Sequence, residues 1–418
     1  MKRFFTLVLL LICAVPSYAA PMKARVIQPL FAQSRKGLDK SFEWTIRELN
    51  RCNSSLDIVV LPEFSEVPGA TPQPEDFLKI AREYGPTLLQ ACSETARRCS
   101  TLVFCGAIDT ECEVPRNATF VYGRDGSLIG KYYKEHLTAG EWKKYGLDKS
   151  YTEEWTKPLM MDIEGVRYAF LTCYDFYFYE NYSNIARWKP DVIIGCSHQR
   201  SDTFRALDII NTFCAYNTGA YLIRASVSMG RLARLGGCSC VVAPTGKILG
   251  KLRSQVRHLD VKFDPKAKYL KPAGYGNPPA MHSEYIEIGR RPWKYRPGGS
   301  AICPPLSEMP AQRSSFFSND LGALGAAVAT GAQEIGFDLD STSDWEPVLT
   351  GILRKLSCHA IFNIHLAGAW DEAALRKVMD LIFDYDAVGY VRFTAFDSSV
   401  GELLSDINPD LPFEVAAH

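Results

Sequence analysis

The chain has 418 residues, 47 of them basic and 47 acidic, so its formal net charge is zero. Apolar residues make up 47% and charged residues 22%, which excludes a disordered tail, a collagen-like fibre and a polybasic nucleic-acid binder. The zero hides unlike parts: residues 301–418 carry 17 acidic and 6 basic side chains, whereas 21–300 carry 39 basic and 30 acidic. Such a split predicts two units of opposite sign.

Lys2 and Arg3 precede an apolar run from Phe4 to Val15, followed by Pro16 and the small-residue stretch Ser17-Tyr18-Ala19-Ala20. A positive end, an apolar centre and a small-residue exit predict a cleaved signal peptide over 1–20 and a secreted or periplasmic protein. The run is too short to cross ~30 Å of hydrocarbon, and no later run is long enough, so no membrane span is expected in the mature protein.

From 22 to 250, short β-rich runs alternate with amphipathic helical stretches. Strands are predicted over 24–29, 56–61, 101–108, 119–122, 128–133, 167–172, 192–195, 221–225 and 238–243. Several are continuous apolar runs, as for strands covered on both faces. Helices are predicted over 41–51, over 76–100 with an interruption at Pro86, and over 204–217. Asp125-Gly126 marks a hairpin turn. The Pro- and Gly-rich stretch 271–310 predicts irregular wrapping and a boundary.

Of the 13 cysteines, Cys52, Cys92, Cys99, Cys105 and Cys112 lie within about sixty residues. In an oxidising compartment some of these are expected to pair, in a connectivity that spacing leaves open. No CxxC pair occurs, and Cys238-Ser239-Cys240 sits in an apolar, strand-like run, so no metal site is expected.

Two strands run straight into chemistry. Residues 56–61 lead through Pro62 into the Glu63 carboxylate, and residues 168–172 deliver the Cys173 thiol into a polar turn. Side chains at the carboxyl ends of strands line the crevice where α/β proteins bind ligands. Between them, Lys134 follows the hairpin.

The motifs Leu61-Pro62-Glu63, Tyr132-Tyr133-Lys134-Glu135-His136-Leu137 and Cys173-Tyr174-Asp175, in this order, resemble the nitrilase (carbon–nitrogen hydrolase) superfamily. Two further segments match, Gly236 to Gly246 and Arg290-Arg291-Pro292 with Tyr295. The resemblance covers roughly 22–300. It implies a four-layer α-β-β-α sandwich over 21–300 and an amidase acting on a small-molecule amide through a cysteine thioester. It implies Glu63 as the base, Cys173 as the nucleophile and Lys134 as the oxyanion stabiliser, helped by the backbone N–H of Tyr174. A second glutamate often completes such a site; Glu141 fits that place better than Glu135, and His136 is expected to support the loop. Neither metal nor cofactor is implied. A homodimer or larger homo-oligomer is.

The same trio serves nitriles and N-carbamoyl groups, and a catalytically silent binding protein is the alternative from another class. Departures bear on substrate. Tyr177 and Tyr179 stand where many relatives carry Arg and Pro, and are expected to line an aromatic pocket wall. Cys214 replaces an arginine of the later helix, which weakens any claim that a substrate carboxylate is held at that point.

From 311 the chain faintly resembles the start of a glycerophosphodiester phosphodiesterase barrel, through Ala311-Gln312-Arg313-Ser314, Ser318-Asn319-Asp320-Leu321, Gly331 to Asp338, Phe362 to His365 and Phe396-Asp397. Those enzymes use His for proton transfer and acids to hold a divalent ion. Here Gln312 stands for the histidine, and Gly336 and His365 stand for glutamates. The resemblance thus implies a small acidic, degenerate β/α domain over 301–418. A working phosphodiesterase is not expected.

Overall fold

The computed structural model describes residues 21–152, 158–267, 269–271, 278–282, 285–286, 303, 306–356, 359–385, 387–407 and 412–415. The signal-peptide segment and the Arg290-Arg291-Pro292 motif with Tyr295 lie outside the described residues. The chain divides into two compact units, Met1–Lys149 with Pro158–Glu287, and Ser150–Lys157 with Ile288–His418.

The first unit is two similar halves. The first half runs β1 (Met22–Gln28), α1 (Arg35–Asn50), β2 (Ile58–Val60), α2 (Asp76–Cys99), β3 (Leu102–Asp109), β4 (Arg116–Tyr122) and β5 (Leu128–Tyr133). The second runs β6 (Met161–Ile163), β7 (Val166–Thr172), α3 (Tyr179–Ala186), β8 (Val192–Cys196), α4 (Phe204–Thr218) and β9 (Tyr221–Ala225). Then come β10 (Cys240–Val242), β11 (Ile248–Lys251), β12 (Arg257–Phe263) and a short ladder of β13 (Leu270–Lys271) with β14 (Ala280–Met281).

One six-stranded sheet has the order β12-β1-β2-β3-β4-β5 and the other β11-β10-β9-β8-β7-β6. Each holds three central parallel strands with antiparallel neighbours. Successive side chains of a strand face opposite ways, so each strand serves two cores. Val26, Val60 and Phe104 meet Tyr168, Ile194 and Ile223 between the sheets. Val59, Val103 and Cys105 turn outward to Leu49, Leu88 and Cys92 of the first helical pair. Leu171, Ile193 and Leu222 turn outward to Tyr182, Ile185 and Cys214 of the second. The unit is an α-β-β-α sandwich.

Three expectations change. Pro86 does not interrupt α2. It removes one helical hydrogen bond, a cost of ~3 kcal/mol, but Phe77, Ile80, Leu88 and Cys92 stay buried on one unbroken face, each worth roughly 1.5–3 kcal/mol. Helix α1 starts before the expected 41, because Ser34 caps it by accepting the Gly37 N–H at 3.2 Å. No cysteine pairs among the described residues: all eleven described cysteines are free thiols, and Cys52, Cys92, Cys99 and Cys105 are packing groups between the first sheet and its helices.

The second unit is a parallel sheet whose strands follow one another in chain order: β15 (Ser315–Phe317), β16 (Glu334–Asp340), β17 (Ile361–Ala367), β18 (Val391–Ala395) and β19 (Phe413–Val415). The connections are α5 (Leu321–Ala329), α6 (Trp345–Leu356), α7 (Glu372–Asp384) and α8 (Ser398–Ile407). Phe337, Phe362, Ile364 and Phe393 pack on Leu353, Val378 and Leu404. The alternate residues Glu334, Asn363, Arg392 and Thr394 form a polar face, where Glu334 takes Arg313 and Arg392, each at 2.7 Å. Among the described residues, no helix is long and apolar enough to cross a membrane.

Candidate functional site

Glu63 is held at the end of β2 by the neighbouring strand. The Leu61 N–H donates to the Phe104 carbonyl and the Ser65 N–H to the Gly106 carbonyl, both at 2.9 Å. A Cβ on Gly106 would stand 2.6 Å from the Glu63 Cα, so glycine is what admits this close approach. The next residue, Phe64, is in the left-handed region at φ 54°.

Lys134 follows β5, its N–H on the Asn117 carbonyl at 3.0 Å. Its Nζ donates to Glu63 Oε1 at 2.8 Å and to both carboxylate oxygens of Glu141 at 2.9 and 2.8 Å. The Asn117 amide donates to Glu63 Oε1 and Glu141 Oε1, each at 2.7 Å. Glu141 also accepts the Thr138 N–H at 2.8 Å. Glu63, Asn117, Lys134 and Glu141 are all buried. Two carboxylates and one ammonium out of water hold together because Glu63 Oε1 and both Glu141 oxygens are each met by donors. Burial pushes the carboxyl of Glu135, the alternative to Glu141, up to about 7, with Asp175 adding to the rise and His136 opposing it.

Cys173 follows β7 and opens a single helical turn, Cys173–Tyr177, at φ 45°. A side chain other than glycine in that region is strained, and such strain persists only where its surroundings fix it. Asp175 is the clamp. It accepts the Thr172 N–H at 2.8 Å, the Tyr132 hydroxyl at 2.9 Å and the His136 N–H at 2.9 Å, so it joins the thiol turn to the loop after Lys134. The His136 ring stacks on Phe178 with centroids 4.1 Å apart.

Burial pushes the Cys173 thiol well above its ordinary pKa, and Glu63 adds to the rise; the Lys134 charge and the His198 backbone N–H act against it. The resting sulfur is therefore protonated, and a base is needed to make it a nucleophile. Burial likewise raises Glu63, with Lys134 and Asn117 opposing, which makes it a stronger base than an ordinary carboxylate. Burial opposes the charge on Lys134, but Glu63 and Glu141 outweigh it and keep the ammonium protonated.

The sequence-predicted residues Glu63, Lys134, Glu141 and Cys173 thus belong to one site. Tyr174 is the second residue of the thiol turn, where helical bonding leaves N–H groups unused. Its ring packs on Tyr177 and Phe178. Tyr177 points its hydroxyl at Asp202. Tyr179 opens α3, 56% exposed, with its hydroxyl beside Glu180. Two site residues were not anticipated. Asn117 sits in β4 beside Arg116 and Thr119, so its amide carried no distinct signal, and His198 stands beyond β8 with no motif to mark it. Among the described residues, no group of three or more His, Cys, Asp and Glu side chains is placed to hold a metal ion.

The carbon-nitrogen hydrolase family model matches residues 24–259, a span that contains all of these side chains. No curated protein matches the chain. Among solved structures, a carbon-nitrogen hydrolase from Helicobacter pylori G27 is 19% identical over 59% of this chain and 90% of its own, with a TM-score of 0.49. An amidase from Nesterenkonia sp. AN1, with the acetamide moiety of fluoroacetamide added to its active-site cysteine, is 18% identical over 58% of this chain and 90% of its own, with a TM-score of 0.48. As the family model covers more than half of its length, the chain belongs to the carbon–nitrogen hydrolase family and is an enzyme.

Proposed function

We propose that the chain is an exported, thiol-dependent amidase that hydrolyses a carbon–nitrogen bond other than a peptide bond. The observation that carries the reading is the buried Lys134 ammonium, shared by Glu63 and Glu141 beside the protonated Cys173. In this reading Glu63 takes the Cys173 proton as the sulfur attacks the amide carbon. The oxygen, now negative, is met by the Lys134 ammonium and the Tyr174 N–H. Glu63 returns the proton to the nitrogen as the C–N bond breaks, releasing amine or ammonia and leaving a thioester. Water then gives a proton to Glu63 and attacks the thioester. Collapse frees the acid, and the proton goes back to sulfur. Glu141 and Asn117 fix the ammonium and the base, so that neither reorganises during the cycle.

Cys173→Ala tests this directly. It should abolish ammonia or amine release from an amide panel, by on the order of 10⁴-fold or more, with unfolding unchanged. Intact-protein mass spectrometry of the parent enzyme, quenched during turnover, should show an acyl adduct on Cys173. Undiminished turnover in the alanine variant ends the proposal. Export and assembly are separate parts of it: the mature protein should begin near residue 21 by mass, and sediment as a homodimer or larger.

A further inference from the structure

Beyond β8 the chain turns through Ser197, His198, Gln199 and Arg200 at the thiol. Arg224 of β9, fully buried, holds this turn from behind: its guanidinium donates to Ser197 Oγ at 2.9 Å, to Asn211 Oδ1 at 2.6 Å and to the Gln199 side-chain oxygen. The His198 N–H faces Cys173, and its ring lies edge-on to Phe31 and Phe64, with centroids 5.2 and 5.6 Å away. Its Nε2 is buried and has no hydrogen-bond partner. Arg200 stands exposed over the Phe31 ring, 4.3 Å from its centre.

Arg200 heads a collar. Thr203 pairs with Leu235, the Gly236 N–H donates to the Asp202 carbonyl at 2.9 Å, and Ser254 donates to the Arg231 carbonyl at 3.1 Å. The segments so joined carry Arg200, Arg205, Arg231, Arg234 and Arg253, all exposed, and none meets a carboxylate among the described residues. The acids close by are already engaged. Asp202 takes the Tyr177 hydroxyl, and Asp208 takes Lys251 at 2.6 Å. A solvated basic face needs no nucleophile beside it. Here the charge of Arg200 reaches the His198 ring, which burial first, and then Arg200 and Lys134, keep neutral. A positively charged mouth attracts and orients an anion.

We propose that the amide substrate carries a carboxylate apart from the scissile bond, that Arg200 binds it, and that Phe31, Phe64 and the His198 ring take the chain between. The anion site is thus on the β8 exit rather than at Cys214. This rests on the amidase reading above.

The test uses the full-length enzyme and three amides of equal length, ending in methyl, carboxylate or ammonium. The carboxylate form should show kcat/KM about 10–100-fold above the methyl form at low salt, as expected for a charge-assisted contact, and the gap should narrow as salt is added. The ammonium form should be the poorest. Arg200→Gln should bring the carboxylate-to-methyl ratio toward one through KM of the carboxylate substrate. The outer pair Arg231→Gln with Arg234→Gln should chiefly weaken the salt dependence. Turnover of the methyl amide equal to or better than that of the carboxylate overturns the anion site and leaves the amidase reading intact. No turnover of any of the three, with no acyl adduct on Cys173, overturns both.

Discussion

Both units of this chain set acids at the carboxyl ends of parallel strands, and they differ in how much water those groups keep. In the first, Glu63, Asn117, Lys134 and Glu141 are at most 3% exposed and bonded at 2.7–2.9 Å. In the second, Asp338 and His365 are 3.5 Å apart, with side chains 39% and 22% exposed. Asn319 donates to Asp338 at 3.1 Å, and the whole group faces solvent. Similar residue types at similar strand ends therefore give different chemistry. Where water is excluded, one proton changes the field at every neighbour; where it is not, solvent screens the same event.

Lys134→Met should show the contrast at its largest. It leaves two buried carboxylates with no cation, so turnover should fall by roughly 10³-fold or more and stability by about 3–5 kcal/mol. Steady-state kinetics and denaturant unfolding read both. Turnover within tenfold of the parent would mean that burial does not organise this site.

An intermediate effect is expected at Glu66. Burial pushes its carboxyl up to about 7, although Oε1 accepts the Ile108 N–H at 2.6 Å. The folded chain holds this proton more tightly than the unfolded chain does. The stabilisation is therefore full below the ordinary value of 4.5 and is lost as pH rises toward 7. Its upper limit is ~3 kcal/mol. Glu66→Gln should flatten unfolding free energy across this window, and an unchanged slope would refute the assignment. In the second unit, Asp340 is fully exposed and shifts the other way, because Thr342 donates to it from backbone and hydroxyl.

The smallest effect belongs to His365→Ala. With its Asp338 partner half in water, the ion pair should contribute less than about 1 kcal/mol, and amide turnover should not change. A loss above about 2 kcal/mol would show that this strand edge is dry in the working protein, and the contrast between the units would fail.

What the sequence revealed follows the same line. Glu63, Lys134 and Cys173 were legible because three short motifs in one order resemble a known family; the strand ends and the hairpin alone would have left each with an ordinary reading. Asn117 was not, since a lone amide in β4 reads as a packing residue until the fold places it between two carboxylates. His198 reaches the thiol only because β8 lies beside β7, a pairing that no local pattern encodes. Strand β12 was missed because an edge strand with Arg257, Asp260 and Lys262 lacks an apolar run; its place beside β1 is fixed partly by the ion pair of Arg25 with Asp260 at 2.8 Å.

Glu63 and Lys134 leave from one sheet, and Cys173 and His198 from the other. Glu63 and Cys173 thus ride on two leaves pressed together mainly by side-chain packing. A slide of one strand residue, about 3.3 Å, would part them while every backbone bond within each leaf survived. Asp175 works against that slide as a cross-tie: it rises from the second leaf and grips Tyr132 and His136 of the first. Hydrolysis is then a gauge of alignment between the leaves, and it should fail well before either leaf comes apart.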